Sequence, residues 1–196
     1  MDELMNILDV LDGSREKVLT AIEALPDEAL LATGAVGTAS VADLLALQAA
    51  WEAELVTGLM RLDQGKAPEK LLAALAKPEA YEAQRLAEYA GRDLDQIFDD
   101  WQLVRGKLEG WLEMFSERDL INTRRFKALQ GKSLKQLVLA ASSQREMAYT
   151  AALEKFAQAW LEAADAAEDA AFNVGIDVIP LTAVFPKDEQ NGSNKN

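Results

Sequence analysis

Residues 40–62 constrain this chain more than any other stretch. Ser40 is a strong helix N-cap residue, and Asp43 stands at the third helical position, where it completes a capping box and places negative charge at the positive end of the helix dipole. Beyond it, Leu44, Gln48, Trp51, Leu55, Leu59 and Leu62 recur at steps of three and four, so one face of a long α-helix packs inward. Gln48 is the one polar residue counted on that face. A buried amide must find hydrogen-bond partners or cost roughly 1–3 kcal/mol.

The same period recurs elsewhere. Leu4, Ile7, Leu8, Leu11, Val18, Ile22 and Leu25 mark a first helix that Pro26 ends, and residues 26–39 read as a loop. Pro68 and Pro78 bracket a short helical piece from Glu69 to Ala76, and another surrounds Tyr81–Tyr89. Leu94, Ile97, Phe98, Trp101, Val104, Leu108, Trp111, Leu112 and Phe115 form the stripe of a third long helix. Ser133 and Gln136 make a second capping box and open a fourth, whose stripe is Leu134, Leu137, Val138, Ala141, Ala148, Ala152, Phe156 and Ala159. The chain therefore predicts an all-α, four-helix bundle with long helices near 2–25, 41–63, 93–115 and 134–161. The long connection between the second and third helices predicts a crossover that leaves them roughly parallel. The expected division is a bundle over residues 1–161 and a helix extension with an apolar, then polar, tail over 162–196.

Composition narrows the chemistry. Among 196 residues there is no cysteine and no histidine. Disulfides and thiolate metal sites are excluded, as are the commonest general base and the commonest metal ligand. A net charge of −13 argues against nucleic acid and against anionic membrane. The acidic start, Met1-Asp2-Glu3, does not read as a secretory signal, and no apolar run approaches the ~20 residues that span a bilayer, so a cytoplasmic protein is expected.

Several segments together resemble the DinB-like four-helix-bundle superfamily, most nearly its colibactin self-protection branch. They are Leu25-Pro26-Asp27-Glu28-Ala29-Leu30, Gly34-Ala35-Val36-Gly37, Ser40-Val41-Ala42-Asp43-Leu44-Leu45 with Ala49-Ala50-Trp51-Glu52, then Tyr81-Glu82-Ala83-Gln84-Arg85, Gly91-Arg92-Asp93-Leu94, Ser116-Glu117-Arg118-Asp119-Leu120 and Gly131-Lys132-Ser133-Leu134. The resemblance implies a cleft between the second and fourth helices. Metal-binding members place histidines at positions that fall here on Leu47, Ala148 and Ala152, and Ala39 replaces a common Trp. The resemblance thus implies a converted site, filled by hydrocarbon, with no metal and no cofactor.

Gln48, Trp51, Gln144, Glu146 and Tyr149 are the candidate ligand-binding residues. The expected function is a non-catalytic binding or protective protein for a small molecule. The alternative is a metal-independent hydrolase of a reactive small molecule, whose mark would be a carboxylate such as Glu146 in an enclosed pocket. Glu52 and Glu54 are expected on or near solvent. Gln130-Gly131-Lys132-Ser133 ends like a phosphate loop but has Phe126 where the first glycine belongs. It reads as a helix start, in a basic region of Arg118, Arg124, Arg125, Lys127, Lys132 and Lys135 that offers an anion dock. The apolar arm Ile176–Pro186, following the alanine-rich residues 163–171, is expected to fold back on its own bundle or to cross onto a second copy, and the resemblance implies a homodimer.

Overall fold

The computed structural model describes residues 2–175, with side chains described through Asp169. It is all-helical: among the described residues the only β pairing is an isolated bridge between Val36 and Ala39. The helices are α1 (Glu3–Ile22), α2 (Asp27–Leu31), α3 (Val41–Asp63), α4 (Glu69–Ala76), α5 (Pro78–Tyr89), α6 (Leu94–Leu112), α7 (Glu117–Ile121), a 3₁₀ turn (Lys127–Leu129), α8 (Leu134–Ala141) and α9 (Ser143–Gly175). No described helix is long and apolar enough to cross a membrane. The chain divides into two compact units, Met1–Trp160 and the residues from Leu161 onward. In the second, residues 161–169 continue the α9 helix with exposed side chains.

Local chemistry sets the helix boundaries. The Ser40–Asp43 capping box closes both ways: Ser40 Oγ accepts from the Asp43 amide at 3.1 Å, and the Asp43 carboxylate accepts from the Ser40 amide at 2.9 Å. Similar boxes open α7 (Ser116 with Asp119) and α8 (Ser133 with Gln136). Pro78 occupies the first turn of α5, where its missing N–H leaves no bond unmade. The regions expected as plain loops hold short helices, α2 after Pro26 and α7 with the 3₁₀ turn ahead of Ser133.

The core centres on α3, which packs most extensively on α6 and also meets α2, α4, α5 and α8. Leu45, Leu55, Leu59, Leu108 and Leu112 are fully buried there. Gly58 lets α4 come close, because a Cβ at that position would stand 2.8 Å from Leu71 Cδ2.

The fourth long helix departs from expectation. It breaks at Ser142, whose backbone (φ −126°, ψ −93°) leaves the helical region and separates α8 from α9. The break resets the helical phase. The inward positions of α9 are Ser143, Glu146, Thr150, Leu153 and Ala157. The expected stripe residues Ala148 and Ala159 are exposed, and Ala152 and Phe156 are half-buried. The arm expected over Ile176–Pro186 lies outside the described residues.

Candidate functional site

Two neighbouring polar regions lie inside this helical unit, and they differ in how their groups are satisfied. The first is a cluster of four charges. Arg15 comes from α1, Glu52 from α3, Arg105 from α6 and Glu146 from α9, and the two carboxylates are wholly buried. Arg15 bridges the pair of carboxylates, with Nε donating to Glu146 at 2.7 Å and Nη2 donating to Glu52 at 3.0 Å. Arg105 bridges them again, through Nη2 at 2.5 Å from Glu52 and 3.1 Å from Glu146. Each guanidinium also donates to a backbone carbonyl: Arg15 Nη1 to Trp101 at 2.9 Å, and Arg105 Nη1 to Leu11 at 2.7 Å. Arg15 stacks on the Trp101 ring at 3.7 Å. The hydroxyl of Ser142 donates to Glu52 at 2.6 Å, and that of Ser14 contacts Glu146. The helix break at Ser142 makes this possible. Its carbonyl starts α9 by accepting from Glu146 N, which leaves its hydroxyl for the core.

Two positive and two negative groups leave the cluster neutral. Burial alone would raise the pKa of the Glu52 carboxyl, but the Arg105 and Arg15 charges, with hydrogen bonds from Arg105 and Ser142, hold it below its ordinary value. Arg105 behaves in mirror image. Burial works against its charge, and the Glu52 and Glu146 carboxylates overcome that and raise its pKa. Such a cluster stabilises little relative to a well-packed apolar core, yet removing any single member strands the rest at a cost of about 3–5 kcal/mol.

Glu52 therefore corrects the expectation that it faces solvent. Its position in the sequence already held the answer. At 100° per residue, Glu52 lies only about 40° around α3 from Gln48, inside the apolar stripe. Arg15 falls between Leu11 and Val18, and Arg105 between Trp101 and Leu108, at the same helical steps. Glu54, two residues on, is half-buried.

The second region is a cavity of about 230 Å³ beside the cluster. Leu44, Leu47, Gln48 and Trp51 of α3 line it together with Ala148 and Tyr149 of α9. Gln48 joins the two regions, since its Nε2 donates to Glu52 at 3.2 Å. A carboxylate only accepts, so this bond fixes the amide: the nitrogen faces Glu52 and Oε1 is left over. That Oε1 is buried and has no partner, and the same holds for the Tyr149 hydroxyl. Four buried side-chain polar atoms lack partners among the described residues, and two of them belong to residues that line this cavity. Burial first, and then the Glu146 charge, pushes the Tyr149 pKa well above its ordinary value, so its hydroxyl stays protonated and able to donate.

The outer wall is better satisfied. Arg145 pairs with Glu82 at 2.7 Å and stacks over the Trp51 ring at 4.2 Å. Glu82 also accepts from Trp51 Nε1 at 3.2 Å. The Tyr81 ring packs 4.4 Å from the Trp51 ring, and its hydroxyl donates to the Ala50 carbonyl. Burial raises the Tyr81 pKa to about 12.

Of the five candidate residues, Gln48, Trp51 and Tyr149 meet at this cavity. Glu146 belongs to the charge cluster, and Gln144 is exposed on α9. Of the three apolar positions Leu47, Ala148 and Ala152, the first two line this cavity and Ala152 is half-buried. In the basic region, Arg125 pairs with Asp119 and Lys135 with Glu3, and Ser133 caps α8. No family model matches this chain, and no curated protein or solved structure matches it either.

Proposed function

We propose that this protein binds an uncharged small molecule in the cavity between α3 and α9, without catalysing its conversion. One observation carries the reading: a cavity of about 230 Å³ lies between α3 and α9, with apolar walls from Leu44, Leu47 and Trp51 beside the polar side chains of Gln48 and Tyr149. The reading agrees with a DinB-like four-helix bundle whose crossover connects α3 to α6 and whose usual metal positions are apolar. The hydrolase alternative needs a carboxylate free to exchange a proton. Glu52 and Glu146 lie between arginines, and Glu82, on the cavity wall, is held by Arg145.

Ala148 provides the test. Its side chain is on the cavity wall but exposed, so Ala148→Trp obstructs the space without overfilling the core. Fragments that perturb the Leu47 and Tyr149 NMR signals of the wild type should cease to do so in Ala148→Trp. Fragment binding unaffected by the substitution would place binding elsewhere. The same reading includes a cytoplasmic homodimer held by the C-terminal segment. Ending the chain after Glu162 should then convert dimer to monomer in light scattering, and an unchanged mass would clear that segment of the role.

A further inference from the structure

The outward face of α6 lies apart from both polar regions. Asp99, Leu103 and Lys107 stand four residues apart and form one ridge along it, and all three are exposed, Leu103 at 57%. Beside the ridge run Gln102, Gly106 and Gly110, a row that its two glycines leave low. Glycine is the weakest helix former after proline, and at neither position would a Cβ meet an atom within 4 Å, so packing inside the chain does not call for them. Leu103 and Lys107 border two hollows. One, of about 330 Å³, has Ala49, Ala53 and Val56 of α3 on its walls, and the other opens over Gly106. Asp100 is taken by Arg92 at 2.5 Å, whereas the side chains of Asp99 and Lys107 have no partner among the described residues.

We infer that this face docks a second copy of the chain, α6 against α6 and antiparallel, about a two-fold axis at Leu103. This rests on the homodimer part of the reading above and adds its surface. The charges select the partner. A two-fold axis at Leu103 sets each position after it against the position equally far before it in the other copy. Lys107 lies four residues after and Asp99 four before, so Lys107 of each copy faces Asp99 of the other. At 1.5 Å of rise per residue, both pairs stand about 6 Å from the axis. A parallel arrangement would instead set like charges together. A partner of one charge would match only one end of a ridge that is acidic at one end and basic at the other. Rows of residues four apart are the ridges that interlock in the commonest class of helix packing, and the glycine row gives the incoming ridge its groove. The two Leu103 side chains then meet at the axis and leave water together. A single helix crossing engages fewer residues than the roughly 20–30 a side of a stable interface, so the C-terminal segment is still needed to hold the dimer.

The test measures the dimer dissociation constant of the full-length protein by analytical ultracentrifugation. Asp99→Lys sets lysine against Lys107 of the other copy, and Lys107→Asp sets aspartate against Asp99. Each substitution alone should weaken the dimer about tenfold. The two together restore opposite charges and should return the constant close to the wild-type value. Gly106→Leu fills the groove and should also weaken the dimer, without lowering the thermal midpoint, because a Cβ there meets nothing in its own chain. A dimer unmoved by all three single substitutions, or a double variant no tighter than the singles, would overturn the α6 assignment and leave the homodimer reading standing. A wild-type chain that stays monomeric at every concentration would overturn both.

Discussion

The charge cluster and the cavity are neighbours joined through Gln48, yet they solve the problem of buried polarity in opposite ways. In the cluster, both guanidiniums and both carboxylates are met by groups of the protein. Among the residues that line the cavity, an amide oxygen and a phenol are left without a protein partner. Formal charge attracts attention first, and here it misleads. The charged residues secure one another and tie four helices together, whereas the neutral residues beside them retain capacity for something else. Among buried polar groups, it is the one without a partner, not the one with the charge, that asks for an explanation.

The largest effect should come from breaking the cluster. Arg105→Met leaves two carboxylates buried with one guanidinium, and should cost about 3–5 kcal/mol in urea denaturation. Replacing all four members together by apolar residues of similar size should recover much of that loss. If Arg105→Met alone proved neutral, the cluster would not be the closed structural unit described here.

Acid should reach the cluster next. The Glu52 carboxyl is held below its ordinary 4.5, so the folded protein keeps this charge to lower pH than the unfolded chain does. Its contribution to stability is complete above about pH 4.5 and is lost as pH falls through the lower folded value. Denaturation midpoints should thus hold level from neutrality to that point and then drop. In Glu52→Gln, less stable throughout, the drop should be shallower. An identical acid dependence in the two proteins would remove Glu52 from the account.

Ser40→Ala gives a smaller effect that serves as a scale. It deletes an ordinary cap outside the charge cluster, and should cost about 1 kcal/mol. A much larger loss would mean that the start of α3 is coupled to the cluster.

The sequence reveals these features unequally. The start and end of α3, the bounds of α4 and the start of α8 are legible because capping residues and prolines act locally. The cluster was legible in principle, since Arg15, Glu52 and Arg105 interrupt apolar stripes at the inward phase. A charge on such a face is easily assigned to solvent because one helix alone does not reveal its partners. Those partners lie 37 to 131 positions apart along the chain. The break at Ser142 was not legible, as neither proline nor glycine marks it. That is why the inward phase of α9, and with it the places of Glu146 and Ala148, shifted from the uninterrupted pattern.

The most direct test of the contrast removes one hydroxyl from each region and compares the cost by chemical denaturation at neutral pH. Ser142→Ala deletes a hydroxyl bonded to Glu52 at 2.6 Å, and Tyr149→Phe deletes one that bonds to no group of the protein. The account predicts a loss of about 1–3 kcal/mol for Ser142→Ala and no loss, or a gain of up to about 1–3 kcal/mol, for Tyr149→Phe. Equal losses, or a larger loss for Tyr149→Phe, would contradict it.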